Sequence, residues 1–189
     1  MNIIVRPYGS SLCSCRPDTT WERENKDLYT PGRIESWKWS PIAFMRISKA
    51  GKCIGRKFVS RYYDAFGFGA LLYIGSIDGS EADTAASSCA DHTSILPYPL
   101  YNPEVMENPD NEFVARKDGT EIFRTDCKEI RQILEDAACK ASELTSLRIG
   151  DIVAVELAPL NMLADRTEET AQFSASFCEN EVYDFKIIF

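Results

Sequence analysis

The run Gly51–Ser76, GKCIGRKFVSRYYDAFGFGALLYIGS, constrains this chain more than any other stretch. Within it, Phe66–Ile74 is strongly apolar yet spaced by glycine, the pattern of a buried strand whose backbone packs closely against a neighbour. Just upstream, Ile42–Ile47 is a second apolar run, closed by a turn at Ala50-Gly51. Lys52–Tyr63, between the two, alternates basic and bulky residues and is expected to form a solvated strand face. The chain is thus expected to be built on two strands joined through a basic connection.

The remaining segments add mostly β-structure. Asn2–Val5 reads as a short strand, and Tyr8–Thr20, rich in Ser, Gly, Pro and Cys, as irregular loop. Trp21–Trp39 reads as polar loop, with Trp37 and Trp39 on one face of an extended piece. Ser76–Asp91 reads as loop with one helical turn. Ile95–Tyr101 carries two prolines and cannot be a central strand, and Asn102–Asn111 is a connector. Phe113–Phe123 is a hairpin, because Asp118-Gly119 supplies the positive backbone angles of a tight turn. Asp126 with Glu129 forms a capping box for a helix whose stripe is Ile130, Ile133, Leu134, Ala137, Ala138 and Ala141. Gly150-Asp151 turns into a strand over Ile152–Leu157, Asn161–Thr170 reads as loop or short helix, and Tyr183–Phe189 alternates as a half-buried strand. The fold class is α+β, mostly β, with one main helix over Asp126–Glu143.

At 189 residues and 44% hydrophobic content, one domain with a sizeable core is expected. It divides into a shortened strand and loop over residues 1–20 and a core over 21–189. A net charge of −8 argues against a nucleic-acid partner. No apolar run reaches the roughly 20 residues of a membrane helix, and the N-terminus lacks signal-peptide features, so a cytoplasmic protein is expected. Seven cysteines, an odd number, point to reduced thiols. Cys13-Ser14-Cys15 is one residue short of a CxxC, and no second pair complements it as a zinc site would need.

Gly51-Lys52, Lys57-Phe58, Arg61-Tyr62-Tyr63-Asp64 and Gly67-Phe68-Gly69 occur in an order and spacing that resembles the fumarylacetoacetate hydrolase-like family, especially its short bacterial members. Arg16-Pro17-Asp18-Thr19, the Leu147–Asp151 turn and the closing strand extend the resemblance from about Arg16 to Phe189. It implies a rolled mixed β-sheet and a homodimer. It also implies a divalent metal (magnesium, manganese or calcium) held by a Glu-x-Glu and an Asp, serving hydrolysis or decarboxylation of 1,3-dicarbonyl acids.

Counted along the matching motifs, those ligand positions fall on Ser40, Ile42 and Leu71. None is a carboxylate, and a hard cation needs anionic oxygen. The family's catalytic His–Glu pair has no counterpart either, since His92 is the only histidine and stands far downstream. The family's Thr-Gly-Thr-Pro run is Val155-Glu156-Leu157-Ala158 here. The expectation is a non-catalytic member without metal or cofactor, retained as a binding or assembly protein, as a homodimer or beside an active paralogue. One alternative is a metal-dependent hydrolase or decarboxylase with relocated ligands, for which Glu156, Asp64, Asp78, Asp83 and Asp91 are candidate carboxylates. Cys89-Ala90-Asp91-His92 is a superficially nucleophilic cluster. A second alternative is a small-molecule binder using the old cleft, lined by Trp37, Trp39 and Tyr73.

Overall fold

A computed structural model describes residues 1–108 and 110–189. Two long strands, β5 (Ile34–Ile47) and β6 (Tyr63–Ile77), pair antiparallel over nearly their whole length. They form the centre of a mixed sheet in the order β2 (Ser14–Arg16), β1 (Ile3–Arg6), β11 (Ile152–Glu156), β5, β6, β8 (Ser94–Ile95), β3 (Trp21–Glu22). Beyond the end of β11, β12 (Asn161–Asp165) continues alongside β5, and β7 (Ser80–Glu81) pairs with the end of β6. A second sheet runs β10 (Thr120–Asp126), β9 (Glu112–Lys117), β13 (Thr170–Phe177), β14 (Asn180–Ile188), β4 (Leu28–Tyr29). The helices are α1 (Thr84–Ser87) and α2 (Ile130–Leu144).

Alternation along β5 and β6 gives each strand two buried faces. One face, with Trp37, Trp39, Met45, Phe66, Phe68 and Leu72, belongs to the main core. There it meets the second sheet through Trp39–Phe173 and Phe68–Phe113, with ring centroids 4.9 and 4.8 Å apart. The other face, with Ile42, Phe44, Leu71 and Tyr73, joins Ile3, Val5, Ile152 and Ala154 in a smaller core. The glycines of β6 lie on this second face. A methyl at Gly67 would sit 2.4 Å from the Phe44 ring, and one at Gly69 would sit 2.1 Å from the Ile95 carbonyl oxygen. Glycine in a strand costs roughly 0.5–1 kcal/mol relative to alanine, less than a collision with backbone.

Pro41 sits inside a central strand, where a missing N–H is normally excluded. Its carbonyl accepts from Leu157 N at 2.8 Å, so its nitrogen points to the same side. That side is the gap between the last residue of β11, Glu156, and the first of β12, Asn161. No ladder bond is lost there.

Several segments differ from the sequence reading. Trp21–Trp39 is not loop throughout: β5 already begins at Ile34, its polar Lys38 reaching Glu81 at 2.7 Å. The basic run is a 3-10 helix at Arg56–Arg61 rather than a strand, with only Val59 buried. The expected capping box is absent. Asp126 ends β10 and accepts from Lys128 N, and Glu129 enters the helix in a left-handed conformation (φ 63°) with no side-chain cap bond. The helix therefore starts at Ile130, with its expected stripe buried apart from the half-exposed Ile133. Asn161–Thr170 contains β12 and a 3-10 turn, and Tyr8–Thr20 contains β2. The hairpin turns at Asp118 and Gly119 (φ 48° and 77°) as expected. Pro109 of the connector lies outside the described residues.

Gly69→Ala is expected to cost about 3 kcal/mol in urea denaturation, the upper range for overpacking against backbone. Gly55→Ala, where the nearest atom is 3.9 Å away, should change stability by less than about 0.5 kcal/mol.

Candidate functional site

Ser40 and Leu71 are cross-strand partners in the β5–β6 ladder, and Ile42 is the next residue on the same face. The three positions therefore converge, and all three are fully buried. Their neighbours are mostly carbon: Phe44, Ile152, Ala154 and Leu96 share the cluster, Leu96 is pinned there by Trp21 Nε1 donating to its carbonyl at 3.0 Å, and the buried Glu156 stands opposite Ile42. Of the three side chains only Ser40 is polar, and its Oγ donates to Ala158 O at 2.7 Å. A hydroxyl already engaged and two aliphatic side chains do not fit a divalent cation, whose hydration shell is replaced only by several anionic or carbonyl oxygens. Among the described residues no group of three or more His, Cys, Asp and Glu side chains is placed to hold a metal ion.

Charge does reach this face, in a different form. Arg16, 1% exposed, enters from β2. Its Nε donates to Ser88 O at 2.9 Å, and its Nη2 donates to Leu72 O at 2.9 Å and Thr93 Oγ1 at 2.6 Å. The guanidinium carbon lies 4.8 Å from the Tyr73 ring centroid, a cation–π contact strengthened by burial. Tyr73 in turn donates its hydroxyl to Glu156 Oε1 at 2.6 Å, while Glu156 Oε2 accepts from Tyr8 N at 3.0 Å. Burial pushes the Tyr73 phenol well above its ordinary value, and the Glu156 carboxylate adds to the shift. Burial likewise lowers Arg16, against the pull of Tyr73 and Glu156. A buried guanidinium and a buried carboxylate are thus linked through one phenol, and within this chain Arg16 Nη1 is left buried without a hydrogen-bond partner.

The other candidates are dispersed. Asp64 is held by Arg46 in two bonds of 2.9 Å, Asp78 by Arg33, and Asp83 caps α1 through Ala86 N. Cys89 is exposed and its Sγ faces Ala85 O at 3.8 Å, whereas His92 turns to Glu22, so the sequence cluster Cys89–His92 does not assemble. His92 is an exposed loop residue, but it has a partner: its Nδ1 lies 2.9 Å from Oε2 of the buried Glu22. Seventy positions separate the two, and nothing local in either segment announces the pairing. Trp37, Trp39 and Tyr73 do not line one cavity. The tryptophans face the main core and Tyr73 the smaller one, because residues opposite Lys38 and beside it point to opposite sides of the sheet. Trp37 instead forms part of a separate cleft with Tyr29, Pro31, Ile34 and His92.

No protein-family model matches the chain, and no curated protein matches it. Solved structures do. Fumarylpyruvate hydrolase from Pseudomonas aeruginosa, in complex with Mn2+ and pyruvate, superposes with a TM-score of 0.81 at 12% identity, over 100% of this chain and 90% of that one. The 5-carboxymethyl-2-hydroxymuconate delta-isomerase of Mycobacterium smegmatis gives 0.79 at 11% identity, over 99% and 78%. The 2-hydroxyhepta-2,4-diene-1,7-dioate isomerase of Mycobacterium marinum gives 0.79 at 11%, over 99% and 74%. At such identities the likeness establishes the fold: a curled, mostly β mixed sheet of the fumarylacetoacetate hydrolase type.

Arg16→Met should destabilise the chain by about 3 kcal/mol in denaturant titration, because three buried acceptors lose their donor; a loss under 1 kcal/mol would contradict the cluster's role. The phenols give a pH dependence. Burial pushes Tyr63 up to about 12 and raises Tyr73 and Tyr183. A raised folded value contributes stability that is complete below the unfolded value of about 10 and is lost as pH rises through the folded one. Unfolding midpoints are therefore expected to fall above pH ~10, with these tyrosines developing tyrosinate absorbance only as the chain unfolds.

Proposed function

We propose that the chain is a non-catalytic protein on a fumarylacetoacetate hydrolase-type fold, without metal or cofactor, acting as a binding or assembly protein. The observation that carries this reading is the buried trio Ser40, Ile42 and Leu71, packed as core where the sequence resemblance puts the ligands of a divalent ion. Restoring a site there would require more than repositioning side chains. Displacing the aliphatic groups exposes apolar surface at roughly 1.5–3 kcal/mol each, and the only carboxylate alongside, Glu156 opposite Ile42, is bonded to Tyr73 and Tyr8.

The same reading covers one domain and a cytoplasmic location, both expected from the sequence itself, and a homodimer, taken from the resemblance. Among the described residues no helix is long and apolar enough to cross a membrane. The Mn2+ and pyruvate of the Pseudomonas hydrolase belong to that protein's chemistry. A metal-dependent hydrolase with relocated ligands finds no support in Asp64, Asp78, Asp83 or Glu156, each of which is tied to a different partner.

Calorimetric titration of the purified chain with magnesium and manganese tests the reading. No saturable heat is expected at millimolar metal; stoichiometric binding at micromolar affinity would overturn it.

A further inference from the structure

The face of β5 opposite the sealed cluster borders a cleft of about 710 Å³, between the Lys26–Pro31 strap, Ile34 and Trp37 of β5, and the loop 90–92. This volume lies within the roughly 300–1,000 Å³ common for small-molecule sites. Its walls are fixed in the free protein. Lys186 N donates to Asp27 Oδ1 at 2.8 Å, Thr30 N to Ile188 O at 2.7 Å, and Trp37 Nε1 to Thr30 Oγ1 at 3.0 Å. On the opposite side, the buried Arg16 holds Thr93, next in sequence to His92.

The polar groups of the cleft are one-sided. His92 sits in a left-handed backbone conformation (φ 58°), uncommon for a residue with a side chain, and its ring is anchored on Glu22. A carboxylate only accepts, so Nδ1 carries the hydrogen of this contact. Lys26, the cation on the rim, is engaged by Glu24 at 2.7 Å. Arg166, beneath the strap, donates to the carbonyls of Pro31, Gly32 and Ile34. Asp27 and Asp91 have no ion-pair partner among the described residues and stand beside the aromatic surface of Tyr29 and Trp37. Two carboxylates without a countercharge and an aromatic wall together select a ligand with an apolar body and a cationic donor head.

We propose that this cleft binds an arylalkylamine, its ring against Tyr29, Ile34 and Trp37 and its ammonium between Asp27 and Asp91. This deepens the reading of the chain as a binding protein, and the two fail separately, since metal titration reports on the sealed face and amine titration on this cleft.

The test compares phenethylamine with 3-phenylpropionate, nearly the same shape with opposite charge, by calorimetry and by amide chemical shifts of the full chain. Phenethylamine is expected to bind one to one, shifting amides of residues 26–31 and 90–92, and to bind at least about tenfold more tightly than the acid, the ratio that about 1.4 kcal/mol of charge preference gives. Asp91→Asn, in an exposed loop, should weaken phenethylamine at least threefold while leaving the amide spectrum of the unbound chain otherwise unchanged; Tyr29→Ala, also at an exposed position, should weaken both compounds. Equal binding of the two compounds, shifts centred elsewhere, or no saturable binding of phenethylamine overturns the proposal.

Discussion

The pairing of β5 with β6 is the constraint on which the rest of the molecule depends. Both strands are buried on two faces, so neither side can be left to water, and the neighbouring elements supply cover for both. The second sheet and α2 cover the face of Trp39, Met45 and Phe68. The other face is closed within its own sheet, which curls so that β1 and β11 bring Ile3, Val5, Ile152 and Ala154 onto Ile42 and Phe44. The glycines at 67 and 69 permit that closure, because any side chain there would strike the Phe44 ring or the Ile95 carbonyl. Strand pairing, curl and the sealing of the inner face are thus one packing solution.

That solution has a chemical consequence. A metal centre would need open coordination space and anionic oxygen on the inner face, while the face as built has aliphatic groups and a carboxylate already bonded to Tyr73 and Tyr8. Arg16 brings a fixed positive charge to this region, held by two carbonyls and a threonine hydroxyl while its Nη1 stays unpaired, with Tyr73 donating to Glu156. Removing one member of such a buried network is costly because its partners are left without water or protein. The network therefore stabilises the sealed state, and it also fixes the Thr93 segment that forms a wall of the outer cleft.

Local patterns made some of this legible in the sequence. Asp118-Gly119 specified a hairpin, the stripe from Ile130 to Ala141 a helix, and the glycine-spaced run a buried strand. The convergence of Ser40, Ile42 and Leu71 followed from matching a motif order. What stayed hidden depends on distant partners. Ile34–Trp39 carries Glu35, Ser36 and Lys38 and reads as loop; it becomes strand because β12 and β6 flank it. The N-terminal cap was lost because β10 extends through Asp126, consuming the residue that would have capped α2. Arg16 stood within a recognised motif with no role attached, and Glu22 and His92 belong to segments that meet only through the parallel pairing of β3 with β8.

Crystals grown in manganese and measured at the manganese absorption edge test the sealed inner face most directly. A face closed by aliphatic packing predicts no anomalous peak between Ser40, Ile42 and Leu71, with the Arg16–Tyr73–Glu156 chain intact. An anomalous peak among those three residues, ringed by carboxylates, would contradict it.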